Sequence, residues 1–152
     1  MAELTAGVVE GIHLHGDRGA PMRLVESAEL VAGHGLVGDR MAGLGIPGSH
    51  LTLIAAEGVE AMVAETGIPL APHQTRRNIL TRGVDVGTLV GRRFQVGEAL
   101  CVGVKECNPC NHVESLTYPG VRSGLAGRGG LRADVLHGGP IRVGDRITLL
   151  PE

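Results

Sequence analysis

Cys107-Asn108-Pro109-Cys110 is the sharpest chemical feature of the chain. Two cysteines at this spacing support three chemistries. They supply two of the four ligands of a structural zinc site, with His112 nearest and His137 as a further imidazole. They form a dithiol redox pair, although that chemistry usually opens a long helix after a first βαβ strand. Or one thiolate works alone as nucleophile or metal ligand, and its neighbour is incidental. Plain packing of both fits poorly, because Asn108 and Pro109 describe an exposed turn rather than a core. A working thiolate needs cations to lower its pKa from about 8.5. Arg76-Arg77, Arg92-Arg93, Arg128 and Arg132 are the candidates.

Three more constellations could read anions. Arg76-Arg77-Asn78 offers two guanidinium forks and an amide ahead of a strand. Its ordinary reading is a solvated basic edge. Gly127-Arg128-Gly129-Gly130 allows close backbone approach and anion cradling by N–H groups. No Gly-Lys-Ser/Thr follows, so it is not a P-loop. GLVGDR (35–40) sets Asp39 beside Arg40, a pair that serves either each other or a ligand. His13, His15, His50 and His73 are scattered and read by default as packing or surface residues.

The elements that must hold these residues are mostly strands. Val8–His15 alternates as a strand, and Met22–Leu30 is a weaker one. Residues 33–50 are a long Gly-rich loop, and loops of that length in small domains usually carry function. Leu51–Ile54 is a short apolar strand. Ala55–Glu65 is a helix with Val59, Met62 and Val63 on one face, stopped by Gly67 and Pro69. Asn78–Thr81 is a further strand. Phe94–Val96, Gly97-Glu98 and Ala99–Lys105 read as strand, turn, strand, with Leu100, Val102 and Val104 opposite Ala99, Cys101 and Gly103. The pattern recurs at Ile141–Val143, Gly144-Asp145 and Arg146–Leu150. Short strands with Gly turns predict a mainly β fold with a few helices: a closed or nearly closed β-barrel, or else an α+β sandwich.

Composition narrows the partners. The chain has 152 residues, which predicts one domain over 1–152. Its 14 Lys+Arg against 16 Asp+Glu give no basic excess, and Phe94 and Tyr118 are the only aromatics. Nucleic acid is excluded on both grounds. No apolar run is long enough to span a membrane and no secretory signal is visible, so a cytoplasmic protein with reduced thiols is expected. Lys105 is the sole lysine; the other cations are arginines, which fork onto phosphate or carboxylate.

The ordered set GLVGDR (35–40), LTLI (51–54), the stretch 76–104, CNPCNHVE (107–114) and GRGGLRADVLHGGPIRVGD (127–145) resembles the MOSC domain, the C-terminal domain of molybdenum cofactor sulfurase, in its short stand-alone form. The likeness covers roughly residues 5–150. It implies a MOSC-type β-barrel, molybdenum cofactor (molybdopterin) binding, and sulfur handling or molybdenum ligation through one cysteine. That cysteine corresponds to Cys110, with Cys107 as second choice. By the same resemblance Arg76, Arg77 and Asn78 line the pterin-phosphate pocket, with Asp39 and Arg40 nearby and Arg128 in a later motif. Family members often read GDRH at the loop, whereas this chain has Met41 after Arg40. Two chemistries fit one thiolate: direct ligation of molybdenum, with reduction of N-hydroxylated compounds as in some larger relatives, or carriage of a persulfide. No flavin, iron–sulfur or haem motif is present and no pyridoxal phosphate is called for, so a separate reductase or a cysteine desulfurase is the expected partner. The oligomeric state stays open. A non-catalytic cofactor-storage module and a zinc-stabilised structural domain are the alternatives.

Overall fold

The computed structural model describes residues 6–151. Eleven strands and three helices follow in order: β1 (Ala6–Leu14), β2 (Arg23–Val25), β3 (Ser27–Val31), β4 (Gly35–Leu36), β5 (Leu51–Ala55), α1 (Ala56–Thr66), β6 (Ile79–Arg82), β7 (Arg93–Val96), β8 (Ala99–Glu106), α2 (Asn111–Leu116), α3 (Val121–Gly124), β9 (Leu131–His137), β10 (Gly139–Arg142) and β11 (Arg146–Leu149). Seven of the strands close on themselves in the order β1-β6-β5-β9-β8-β7-β11, with β11 pairing back onto β1. Closure removes the sheet edges that would otherwise invite association. The expected barrel forms; the sandwich does not. β2 extends one side from β1, and β10-β3-β4 form a second small sheet.

Only β5 and β6 run parallel within the barrel, with Leu53 opposite Ile79. A parallel pair needs a crossover, and α1 lies in that connection. Ala56, Val59 and Met62 give α1 its buried side. Gly67 ends it in the left-handed conformation, φ 74°, with its N–H on the Val63 carbonyl. No helix among the described residues is long and apolar enough to cross a membrane.

The barrel interior is mostly apolar. Phe94, Val96, Leu53, Ile79, Leu131 and Ile147 are essentially fully buried there. In β8 the smaller residues Ala99, Cys101 and Gly103 point inward, and Leu100, Val102 and Val104 are half-buried outside. Burial, with Asp134 adding to it, pushes the Cys101 thiol up to about 12, so this cysteine is an inert core group. A second apolar cluster of Met62, Leu70, Val113, Val121 and Leu125 joins the three helices at one end.

Two expectations are corrected. The segments around Gly144-Asp145 are strands, but they do not pair with each other: β10 pairs with β3, whereas β11 pairs with β1 and β7. Alternation marks a strand without naming its neighbour. And Met22–Leu30 is two strands, β2 and β3, that belong to different sheets.

Candidate functional site

The predicted site residues gather at the ends of β1, β5, β6 and β8. Asn78, just ahead of β6, ties three segments together. Its amide donates to the His13 carbonyl (3.0 Å) and to Asp39 Oδ1 (3.1 Å). Its side-chain oxygen accepts from the Thr52 N–H (3.0 Å) and Thr52 Oγ1 (3.2 Å). Every donor of this buried amide is therefore used inside the protein, and Asn78 positions the site by holding β1, β5 and the Gly-rich loop together.

Asp39 is buried at the loop's centre. It accepts hydrogen bonds from the His15 backbone N–H, from His15 Nδ1 at 2.9 Å and from the Met41 N–H at 3.1 Å. Burial alone would raise its pKa. The His15 ring and backbone bonds, the His15 charge and the Met41 N–H outweigh burial and hold the carboxyl below its ordinary range. Asp39 does not pair with Arg40, whose Nε donates instead to the Gly16 carbonyl at 2.8 Å. Met41 stands where the resemblance leads one to expect a His, and His15 places an imidazole on the Asp39 carboxylate.

Adjacent arginines do different work. Arg77 is buried, with Nε on the Gly129 carbonyl (2.7 Å) and Nη2 on the Asn108 carbonyl (3.1 Å). One guanidinium thus fastens the cysteine turn to the GRGG loop. That contact needs glycine: a Cβ on Gly129 would stand 2.1 Å from the Cys107 carbonyl oxygen. The Cys107 N–H donates to the Gly130 carbonyl at 2.8 Å. Burial lowers the Arg77 pKa, opposed by Cys107, and Arg132 lowers it further against the pull of Cys110. The group stays charged, because a guanidinium does not deprotonate in proteins.

Arg76 sits at the end of the short turn 72–75 with φ 62°. Among the described residues it is the one non-glycine with positive φ, a conformation that costs about 1 kcal/mol or more. Only 8% exposed, it donates through Nη1 to the Ala20 carbonyl at 2.7 Å. Its Nη2 is buried with no hydrogen-bond partner. Burial, then Arg40, lowers its pKa, while Asp39 and Cys110 pull the other way. Among the described residues no carboxylate lies within ion-pairing distance of Arg76 or Arg77.

The three cysteines are free thiols. Cys110, just before α2, is exposed, as the turn predicts. Cys107 is not: it is 2% exposed, because its backbone is drawn onto Gly130 and its side chain turns inward. It lines a separate cavity of about 200 Å³ with Asp85, Glu106 and the GRGG backbone. Arg128 points elsewhere as well. Its guanidinium pairs with Glu65 of α1 and reaches the Gly124 carbonyl, although the residue also borders the Cys107 cavity. The structure therefore brings together Asp39, Arg40, Arg76, Arg77, Asn78 and Cys110 and sends the Arg128 fork away. No group of three or more His, Cys, Asp and Glu among the described residues could hold a metal ion by themselves, which leaves the zinc reading without ligands.

A cavity of about 350 Å³ opens beneath the Gly-rich loop, lined in part by His15, Met41, Asn78, Lys105 and Arg132. By sequence alone His15 reads as a packing or surface residue, and Thr52, Ser49 and Lys105 carry no assigned site role. Only Lys105 left a signal, as the sole lysine and a near neighbour of the cysteine turn.

The sequence matches the family model of the MOSC domain over residues 13–148. The chain belongs to the MOSC domain family. That family is associated with molybdenum cofactor binding. The fold matches the YuaD protein of Bacillus subtilis with a TM-score of 0.77 at 18% identity, covering 98% of each chain. YiiM of Geobacillus stearothermophilus gives a TM-score of 0.78 at 14% identity over 95% of this chain and 75% of that one. YiiM of Escherichia coli gives 0.70 at 17% over 100% and 71%. At these identities the likeness is one of fold. No curated protein matches the sequence. Within this MOSC fold the cation-rich end of the barrel carries both the resemblance-derived residues and the orphaned guanidinium nitrogen.

Proposed function

We propose that this MOSC protein binds molybdenum cofactor at the Arg76–Cys110 end of the barrel and acts through the Cys110 thiolate. The observation that carries the reading is Arg76. A buried cation with an unpartnered N–H group and no ion pair is costly, and such groups persist where a ligand completes them. Arg76, with the Arg40 charge near it, would hold the anionic end of a phosphate-bearing pterin. The donor set fits the metal as well, since an exposed soft thiolate stands close enough to feel Arg76 and Arg77. When bound, the cofactor supplies molybdenum redox chemistry. The chain's own residues bind, orient and hold charge. Arg77 fixes the cysteine turn, and Asn78 and Asp39 fix the loop opposite.

The exposure of Cys110 supports a second use of the same thiolate, the carriage of sulfane sulfur delivered by a cysteine desulfurase. With ligation, electrons come from a separate reductase, and N-hydroxylated compounds are the substrates to try first. Both readings place the protein in the reducing cytoplasm. The test is elemental analysis of protein purified anaerobically from a host that makes the cofactor. Molybdenum in the wild type, lost in Cys110→Ala, supports ligation. Sulfane sulfur on Cys110 by mass spectrometry, without molybdenum, supports carriage. Molybdenum retained in Cys110→Ala leaves a storage module that does not use the thiol.

A further inference from the structure

The cavity beneath the Gly-rich loop holds features that cofactor binding through Arg76 and Cys110 does not use. Lys105 on β8 and Arg132 on β9 are direct cross-strand partners. Like charges facing each other in a sheet are destabilising. The register shift between Gly103 and Lys105 leaves Val104 as the extra residue beside the pair. Both cations line the cavity, and among the described residues neither has an ion-pair or side-chain hydrogen-bond partner. The acids nearby are committed. Asp134, on the same face of β9 as Arg132, accepts the Gly48 N–H at 2.8 Å and stands 3.5 Å from His50 Nδ1. Asp39 is held by His15 and Met41. Among the described residues no carboxylate lines the cavity wall.

The opposite wall is of a different kind. Leu44 and Ile46 come from the loop and are 48% and 59% exposed, with Pro47 and Met41 beside them. Ser49 lines the cavity too, and its hydroxyl oxygen is buried with no hydrogen-bond partner. Two unpaired cations, one unpaired hydroxyl and an apolar flap around about 350 Å³ define a complementary guest: a small organic anion whose charged end meets Lys105, Arg132 and Ser49 while its apolar body lies under Leu44 and Ile46. An anion between the cations turns a repulsion into two charge-assisted contacts. Asn78 and His15, which hold Asp39, also line the cavity, so it borders the site that the proposed function uses.

We infer that this cavity is a binding site for a small amphipathic anion, a carboxylate with a hydrocarbon body being the simplest case, and that it sets the substrate class presented to Cys110. The link to Cys110 rests on the proposed function; the binding site does not. The test separates the two by using protein as purified, whatever its metal content. Hexanoate, hexanamide and inorganic phosphate are titrated at millimolar concentration against wild type, Lys105→Gln, Arg132→Gln and the double variant, followed by isothermal calorimetry and thermal melting.

Hexanoate should bind wild type and raise its melting temperature. Either single variant should weaken that binding by about tenfold, and the double variant should abolish it. Without ligand each single variant should melt higher than wild type, since it removes a like-charge pair. A purely structural role for the two residues predicts the reverse. Lys105→Gln should leave the molybdenum content as it is in wild type, so loss of anion binding with metal retained marks this site alone. The inference is overturned if hexanoate and hexanamide act alike, if phosphate alone binds as well as hexanoate, or if hexanoate binding survives in the double variant.

Discussion

The wall of the barrel and its rim follow opposite rules. In the wall and just behind it, polar groups are paired: Asn78 spends its amide on His13, Asp39 and Thr52, and Arg77 spends its fork on Gly129 and Asn108. At the rim they are not. The two buried side-chain polar atoms without a partner among the described residues, Arg76 Nη2 and Ser49 Oγ, both lie there, as does the facing pair Lys105 and Arg132. Folding satisfies its buried polar groups wherever it can. Under the proposed function, these exceptions at one end of one barrel are residues kept for a ligand, and the paired groups are residues that make the fold.

That contrast breaks if the wall proves dispensable. Phe94→Ala empties the most voluminous fully buried side chain and should cost about 4 kcal/mol in urea denaturation, the largest effect here. Asn78→Ala should cost about 3 kcal/mol, because it strands the Thr52 N–H and the His13 carbonyl together. A loss below about 1 kcal/mol would move Asn78 from framework to rim.

The pH dependence sharpens the comparison with a smaller effect. Burial holds the His13 pKa below 6.5, His73 adding to it and the Arg77 carbonyl opposing. A histidine kept neutral in this way contributes fully above about pH 6.5, and the contribution fades as pH falls toward the folded value. Asp39 has a depressed carboxyl pKa, so its contribution is full above about pH 4 and lost only below. Denaturation midpoints should therefore fall in two stages on acidification, the first flattened by His13→Gln and the second by Asp39→Asn. A single stage untouched by His13→Gln would contradict the assignment.

Smallest in energy is the contrast within the cysteine turn. Iodoacetamide should modify Cys110 in the native protein, leaving Cys107 and Cys101 until denaturant is added. Peptide mapping reads this directly, and native labelling of Cys107 ahead of Cys110 would reverse their roles.

Much of the framework is legible in the sequence because it is local. The alternation of Phe94–Val96 and Ala99–Lys105 appears as the β7–β8 hairpin, and Gly67 stops α1 where the Gly-Pro signal lies. What escapes is set by distant partners. The burial of Cys107 depends on the Gly130 carbonyl, and the facing of Lys105 and Arg132 depends on register between strands far apart in the chain. The α2 and α3 helices are six and four residues long, too short for a helical period to show. Resemblance pointed to Arg76, Arg77, Asn78 and Cys110, which the fold brings to one end of the barrel. It could not reveal that Arg128 is spent on Glu65 or that Arg76 and Arg77, side by side in sequence, serve different ends.

Arg76→Met tests the central claim most directly, with stability and molybdenum content measured on the same preparations. Removing a buried, incompletely paired charge should leave the denaturation midpoint unchanged or raise it, while molybdenum retained after anaerobic purification falls to background. Molybdenum at the wild-type level in a stable Arg76→Met protein would contradict the account, because the unpartnered Nη2 would then have no ligand to explain it.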